Sequence, residues 1–441
     1  MRSLSLRLYG VVTRLIQPLL RRKLRRRAVA EPGYGVAVEE RFGHYPTTPG
    51  GTDWCWIHAV SLGEARAAGI LIEELRRQAP GIRLLLTHGT ATGREEGAKL
   101  LQPGDVQVWQ PWDTPAAVAR FLDRFSPRIG VLMETEVWPE MTAACAERGI
   151  PLVLANARLN AKSLASAERL GWLARPAYSS LRAVWAQTEA DSHRLVSLGA
   201  KVSGIFGNMK FDAAPEPRQL ATAASLRATL PKPVIVFASS RDGEEQQLLE
   251  VLKRFGAAAP VPVAHTAINS IAKRVHDVQW MIVPRHPQRF NEVAALVEAN
   301  GFAVARRSAV DQDQGDAEIW LGDSLGEMAL YYGLAHVALL GGSFEPLGGQ
   351  NLIEAAACGC PVVMGPSTFN FAEAAELSLA AGASLRVNDM EQAVKAALAL
   401  VGNPARHAAM VEAAQAFSSS NRGAAQRTAQ AVLAIAEPTG P

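Results

Sequence analysis

Short, nearly continuous apolar runs alternate with helical patterns along this chain, and that alternation restricts its fold more than any other feature. The runs "DWCWIHAV" (53–60), "IRLLLTH" (82–88), "VQVWQ" (106–110), "IGVLMET" (129–135), "PLVLANA" (151–157) and "AVWAQT" (183–188) are separated by segments such as "EARAAGILIEELRRQ" (64–78) and "DTPAAVARFLDRF" (113–125). A strand that is apolar on both sides must be covered on both faces, which calls for a parallel sheet layered by helices. A second series runs through "PVIVFASS" (233–240), "WMIVPRH" (280–286), "EIWLGD" (318–323), "HVALLGGS" (336–343) and "PVVMGP" (361–366). At 441 residues the chain exceeds what one core holds, so two Rossmann-like domains are expected. The proline-marked "FDAAPEPRQ" (211–219) is the expected linker between domains at 31–210 and 220–425, with a tail at 426–441. Residues 404–436 read as alanine-rich helix, and "VPVAHTAINSIAKRVHDVQ" (261–279) is too long for a simple connection and reads as an insertion.

The net charge of +3 conceals an asymmetry. Residues 1–30 carry nine basic residues and no acidic one, leaving −6 for the remainder. Leu4, Leu8, Val11, Val12, Leu15, Ile16, Leu19 and Leu20 recur at near-helical spacing, with Arg7, Arg14 and Arg21 along another stripe. A bilayer span needs about 20 mainly apolar residues, and this segment is interrupted, with Pro18 set to bend or end the helix. "AVA" (28–30) has the look of an export cleavage site, but "RRKLRRR" (21–27) follows the apolar part, where positive charge opposes export. The expected partner is therefore an anionic inner-membrane surface, not nucleic acid; the blander alternative is a basic arm that binds nucleic acid or merely solvates the terminus.

Cys55, Cys145, Cys358 and Cys360 lack the spacing of a disulfide framework or a zinc site, so a reducing compartment, no metal and no cofactor are expected. Ligands of open parallel sheets bind beyond the carboxyl ends of the strands. There stand Ser239 and Ser240 before a helix, Arg285, His286 and Arg289 in "PRHPQRF", and "GGSFEPLGGQN" with Gly341, Gly342, Gly348 and Gly349 ahead of Asn351 and Glu354. Taken singly these are ordinary caps, turns and solvated charges; their recurrence at successive strand ends points to a phosphate-bearing ligand. None forms a Walker loop or a dinucleotide fingerprint.

The motifs "WIHAVSLGEA" (56–65), "ETEVWPE" (134–140), "ANARLNAKS" (155–163), "GNMKFD" (207–212), "IVPRHPQRF" (282–290), "RRS" (306–308), "LGDSLGEMALYY" (321–332), "GGSFEPLGGQNLIEAA" (341–356) and "GPSTFNF" (365–371) resemble those of the 3-deoxy-D-manno-octulosonic acid (Kdo) transferases of lipopolysaccharide synthesis. The resemblance spans nearly the whole chain. It implies an α/β GT-B glycosyltransferase, two Rossmann-like domains with a cleft between them, preceded here by the amphipathic basic segment. It implies CMP-Kdo as donor, bound mainly by the second domain through Ser239, Ser240, Pro284, Arg285, His286, Gly322, Asp323, Leu325, Gly326, Glu327, Gly342, Asn351 and Glu354. A lipid A precursor is the implied acceptor, bound mainly by the first domain with Ser61, Gly63, Glu134, Glu136 and Arg158 at its site, at the cytoplasmic face of a Gram-negative inner membrane. Gln350 and Ser367 depart from the family, which commonly has His at the first position and often at the second.

Glu64 is the candidate general base, because a sugar hydroxyl attacks better when a carboxylate takes its proton. On the bland reading it only stabilises the N-terminus of its own helix. His58, at a strand end, reads as structural. The remaining alternatives are a GT-B enzyme using a UDP-sugar, either a lipid-linked N-acetylglucosaminyltransferase or an epimerase, and a non-catalytic sugar-binding or scaffold protein. Removing residues 1–30 is expected to abolish co-sedimentation with anionic vesicles; undiminished binding would overturn the membrane reading of this segment.

Overall fold

The computed structural model describes residues 3–46, 48–256, 275–309 and 317–437. The chain divides into two compact units, residues 1–212 with 421–441, and residues 213–420. Each is built on a seven-stranded sheet in which every paired strand runs parallel.

The first sheet consists of β1 (Cys55–His58), β2 (Leu84–His88), β3 (Val106–Trp109), β4 (Ile129–Met133), β5 (Leu152–Ala157), β6 (Ala183–Ala186) and β7 (Val202–Ile205), ordered β3-β2-β1-β4-β5-β6-β7. Alternate residues of β1 feed two cores: Trp56 joins Phe121 and Phe125 on one face, while Ile57 joins Leu71, Leu86 and Val131 on the other. This two-sided burial is the reason the strands read as continuous apolar runs. Gly130 has no room for a side chain, since a Cβ there would lie 2.5 Å from Leu152 and 2.6 Å from the Trp56 ring.

The second sheet consists of β8 (Val234–Ser240), β9 (Gln279–Pro284), β10 (Val304–Arg306), β11 (Ile319–Leu321), β12 (Val337–Leu340), β13 (Val362–Met364) and β14 (Ser384–Arg386), ordered β10-β11-β9-β8-β12-β13-β14. Strand order reverses between β1 and β4 in one sheet and between β8 and β12 in the other, so these pairs open a crevice at their carboxyl ends.

The expected strands are present, and three more are added: β7, β10 and β14, each at a sheet edge. Edge strands are covered less completely, and β7 alternates half-buried and exposed residues. The alanine-rich tail is two helices, Pro404–Ser420 and Ala424–Ala436, broken ahead of the second by Gly423 at φ 94°. The second unit ends at Ser420 rather than near residue 425, because Ala425, Ala429 and Val432 of the last helix join the core of the first unit beside helix Leu62–Gln78. Asp212 fastens this return, its carboxylate accepting the backbone N–H groups of Gly423 and Ala425. The expected linker is partly helical, with helix Pro217–Thr229 starting inside it. Of the expected insertion, residues 261–274 lie outside the described residues and Gln279 opens β9.

At the N-terminus, helix Leu4–Leu15 runs into helix Gln17–Ala30, with Pro18 in the first turn of the second, where its missing N–H costs nothing. Gly10 packs on Pro115, and Leu24 enters a small core with Tyr34, Phe42 and Trp109. Leu4, Leu8, Val11, Val12, Leu15 and Leu19 are exposed. Among the described residues no helix is long and apolar enough to cross a membrane.

Asp212→Ala removes an N-cap acceptor from the last helix, which typically costs about 1–2 kcal/mol. Chemical denaturation of the intact protein is expected to show that loss.

Candidate active site

In the first unit the carboxyl ends of β1, β4 and β5 carry Glu64, Glu134 and Arg158. Helix Leu62–Gln78 begins with a reciprocal capping box: the Ser61 hydroxyl accepts from Glu64 N–H at 3.4 Å, and Glu64 Oε2 accepts from Ser61 N–H at 3.0 Å. The same Oε2 also accepts from Val60 N–H at 2.5 Å. Glu64 therefore does cap its helix, as the bland reading holds, but the cap leaves it buried. Burial raises its pKa to about 7; the Ser61 and Val60 amides oppose the rise, and the charges of Glu134 and Glu136 add to it. A carboxylate tuned to neutrality suits a general base. A Cβ at Gly63 would meet nothing closer than Ser61 Oγ at 4.0 Å, so the space beside this turn is left unfilled by the protein.

Glu134 sits at φ 58° with its side chain almost wholly buried, Oε2 at 2.8 Å from Arg158 Nε and Oε1 at 3.7 Å from Lys210 Nζ. Glu136 is half-buried, which raises its pKa. His58 is fully buried, its Nδ1 at 2.9 Å from Thr87 Oγ1; burial drives its pKa down to about 3, so it stays neutral and structural.

In the second unit the crevice between β8 and β12 is tightly built. Ser239 adopts φ 57°, and a Cβ at Gly341 would lie 2.2 Å from the Ser239 carbonyl oxygen. The Ser240 hydroxyl is buried and donates to Glu245 Oε1 at 2.7 Å. Glu244, fully buried, accepts the N–H groups of Gly342 at 2.7 Å, Arg241 at 2.9 Å and Phe344 at 3.0 Å. The polar groups expected to face a phosphate at Ser240 and Gly342 thus meet carboxylates of helix Glu244–Gly256. The cationic side is stronger. Arg285 follows Pro284, the buried end of β9, and His286 lies among Arg241, Arg285 and Arg289; burial and then these three charges lower its pKa. Arg289 is already neutralised by Glu245 at 2.8 Å, Glu292 at 3.0 Å and Asp242 at 3.3 Å.

A family model described as 3-deoxy-D-manno-octulosonic-acid transferase matches residues 37–213. The 3-deoxy-D-manno-octulosonic acid transferase of Bordetella pertussis is 45% identical over 386 residues, covering 86% of each chain. The chain belongs to the Kdo transferase family. The Haemophilus influenzae member is 30% identical over 95% of this chain and 96% of its own. Among solved structures, a UDP-GlcNAc 2-epimerase from Neisseria meningitidis superposes with a TM-score of 0.54 at 16% identity, covering 87% of this chain and 99% of that one, a likeness of fold. The protein is accordingly a glycosyltransferase of GT-B type that acts in Kdo transfer.

Two Kdo transferase motifs far apart in sequence interlock in the second unit. Asp323 accepts Arg306 Nε at 2.7 Å, Ser308 N–H at 2.8 Å and the Ser308 hydroxyl at 2.6 Å, while Glu327 pairs with Arg307 at 2.9 Å. "RRS" thereby clasps "GDSLGE", a role for Arg306, Arg307 and Ser308 that spacing alone did not disclose. Gly322 is required by packing, since a Cβ would lie 2.7 Å from Val283 and 2.8 Å from the Tyr331 ring. Leu325 is 73% exposed, and Gly326 turns at φ 77°. Asn351 caps its short helix by accepting Ile353 N–H at 3.1 Å, and Glu354 is half-buried on the first turn. The departures also have partners: Gln350 Oε1 accepts Arg285 Nε at 3.2 Å, and Ser367 Oγ accepts Gly348 N–H at 3.0 Å. Lys210 of "GNMKFD" approaches Glu134 only through the fold, and spacing in the sequence does not pair the two.

Burial opposes ionisation of Asp323, but Ser308 and Arg306 outweigh it and hold its pKa below the ordinary carboxylate value. A depressed folded-state pKa stabilises the fold above the unfolded value, and that stability disappears as pH falls through the folded one. Asp323→Asn is therefore expected to lower unfolding stability by about 1–3 kcal/mol at neutral pH. The gap from wild type should close on acidification below pH about 4.

Proposed function

We propose that this Kdo transferase moves Kdo from CMP-Kdo to a glucosamine hydroxyl of a lipid A precursor (lipid IVA), with inversion and release of CMP. The acceptor oxygen attacks the anomeric carbon, its proton passes to Glu64, and the bond to the donor phosphate breaks with its electron pair leaving on CMP. The observation that carries this reading is Glu64 itself, a buried carboxylate with a pKa raised to about 7 at the β1–β4 crevice of a Kdo transferase. Glu134, Glu136 and Arg158 surround it as acceptor-orienting groups. Arg285 supplies positive charge for the departing phosphate, His286, its pKa lowered, offers a neutral ring beside it, and Asn351, Glu354 and the "GDSLGE" turn hold the nucleoside.

The lipid acceptor agrees with the exposed apolar stripe of helix Leu4–Leu15 and the basic residues beside it, which suit a monotopic or peripheral seat on the cytoplasmic face of a Gram-negative inner membrane. A base must be ionised to work, so kcat/KM should rise about tenfold per pH unit below about 7 and level off above.

Purified protein given freshly generated CMP-Kdo and tetraacylated lipid A precursor, with UDP-GlcNAc as the alternative donor, is expected to yield product heavier by whole Kdo units with the first donor alone. Glu64→Gln should retain CMP binding and lose on the order of 10²–10⁴-fold in turnover. Undiminished product from the variant would discard the base and keep the enzyme.

A further inference from the structure

The stretch "HGTATG" (88–93), which turns from the end of β2 into helix Ala91–Ala98, has no carboxylate, cation or phosphate-binding pattern to mark it in the sequence. In the structure it grips the end of β1 immediately before Glu64. His88 Nδ1 lies 2.8 Å from the Ala59 carbonyl oxygen. The next carbonyl, Val60, accepts three donors: Gly89 N–H at 3.2 Å, Thr90 N–H at 3.0 Å and the Thr90 hydroxyl at 2.9 Å. The Val60–Ser61 peptide so gripped carries the Ser61 N–H, and the Ala59–Val60 peptide at His88 carries the Val60 N–H, the two donors that hold Glu64 Oε2.

Glycines let the two loops meet. A Cβ at Gly93 would lie 2.7 Å from the Val60 carbonyl oxygen and 3.0 Å from Thr90 Oγ1, and a Cβ at Gly89 would lie 2.7 Å from Val60 Cγ1. The first contact is with backbone, which cannot swing aside. Arg41 seals the back of the loop, its Nη2 donating to the Gly89 carbonyl at 3.1 Å.

We propose that Thr90 is a positioning residue for transfer: its hydroxyl, through the Val60 carbonyl, orients the Ser61 amide that, beside the Val60 amide, fixes one oxygen of the Glu64 carboxylate and thereby aims the other at the acceptor. The inference rests on Glu64 being the base. A carboxylate that can rotate spends less time in a reactive orientation, and misplacement of about 1 Å can cost 10²-fold. Thr90 also caps helix Ala91–Ala98 by accepting Gly93 N–H at 3.1 Å, so a merely structural role must be separated from this one.

Thr90→Val keeps the shape and removes the hydroxyl; Thr90→Ser keeps the hydroxyl. In Thr90→Val, kcat should fall about 10–100-fold with KM for both substrates little changed. Loosened amides oppose ionisation of Glu64 less strongly, so the acid limb of kcat should move to higher pH. The charged groups facing Glu64 are Glu134 and Glu136, with Arg158 and Lys210 on Glu134, and none of them is altered by the substitution. Thr90→Ser should restore turnover and the pH limb, and adding Thr90→Val to Glu64→Gln should cost nothing further in turnover.

A Thr90→Val enzyme with lower thermal stability but unchanged kcat and pH limb would leave Thr90 as a helix cap and overturn the proposal while Glu64 stood. Equal further loss in the Glu64→Gln background would also overturn it. Full activity of Glu64→Gln alone would remove the base and, with it, the inference.

Discussion

The reversal of strand order at β1 and β4, and again at β8 and β12, is the constraint on which the placement of the functional side chains depends. Crossovers on either side of such a reversal leave in opposite directions, so the loops at that point do not cover the strand ends between them. Glu64 and Glu134 follow the reversing pair of one sheet; in the other, Ser239 stands in the last two residues of β8 and the Gly341–Gly342 turn follows β12. Parallel pairing produces this geometry only if both faces of each sheet are dry, which ties the site to the aromatic and aliphatic layers around Trp56 and Ile57.

The two crevices solve opposite electrostatic problems. In the first, three carboxylates gather near one another, and Arg158 and Lys210 neutralise Glu134 while the Glu64 carboxylate accepts from the Val60 and Ser61 backbone amides. The result is a group that titrates near neutrality instead of staying ionised throughout. In the second, acidic side chains are spent on the framework: Glu244 knots the glycine-rich turn, and Glu245 takes Ser240 and Arg289. With Arg289 so engaged, the other positive charges around His286 are those of Arg241 and Arg285.

Much of this organisation was legible in the sequence, for identifiable reasons. Strands buried on both faces announce themselves by composition, so the central members of both sheets could be read, whereas the edge strands β7, β10 and β14 are only partly buried. Glu64 could be singled out because a carboxylate at a strand-to-helix turn is visible as such; its dual engagement as cap and buried acid could not, because it depends on the Val60 amide and on Glu134, 70 positions away. Contacts between distant turns were likewise hidden. Nothing in "RRS" names Asp323 as its partner, and nothing in "HGTATG" names Val60. The roles of Ser240 and Gly342 read differently in three dimensions because helix Glu244–Gly256 brings acids of its own to meet them.

The return of the last helix to the first unit carries a consequence for how the chain is made. Ala425, Ala429 and Val432 cover apolar residues of helix Leu62–Gln78 and the strands beneath it, so that core cannot close until residues beyond 421 have emerged from the ribosome. The second unit, continuous from 213 to 420, is complete earlier. During synthesis, then, the half of the protein translated first is the half finished last, and its exposed alanine-lined face must wait, unpaired, through the birth of an entire domain.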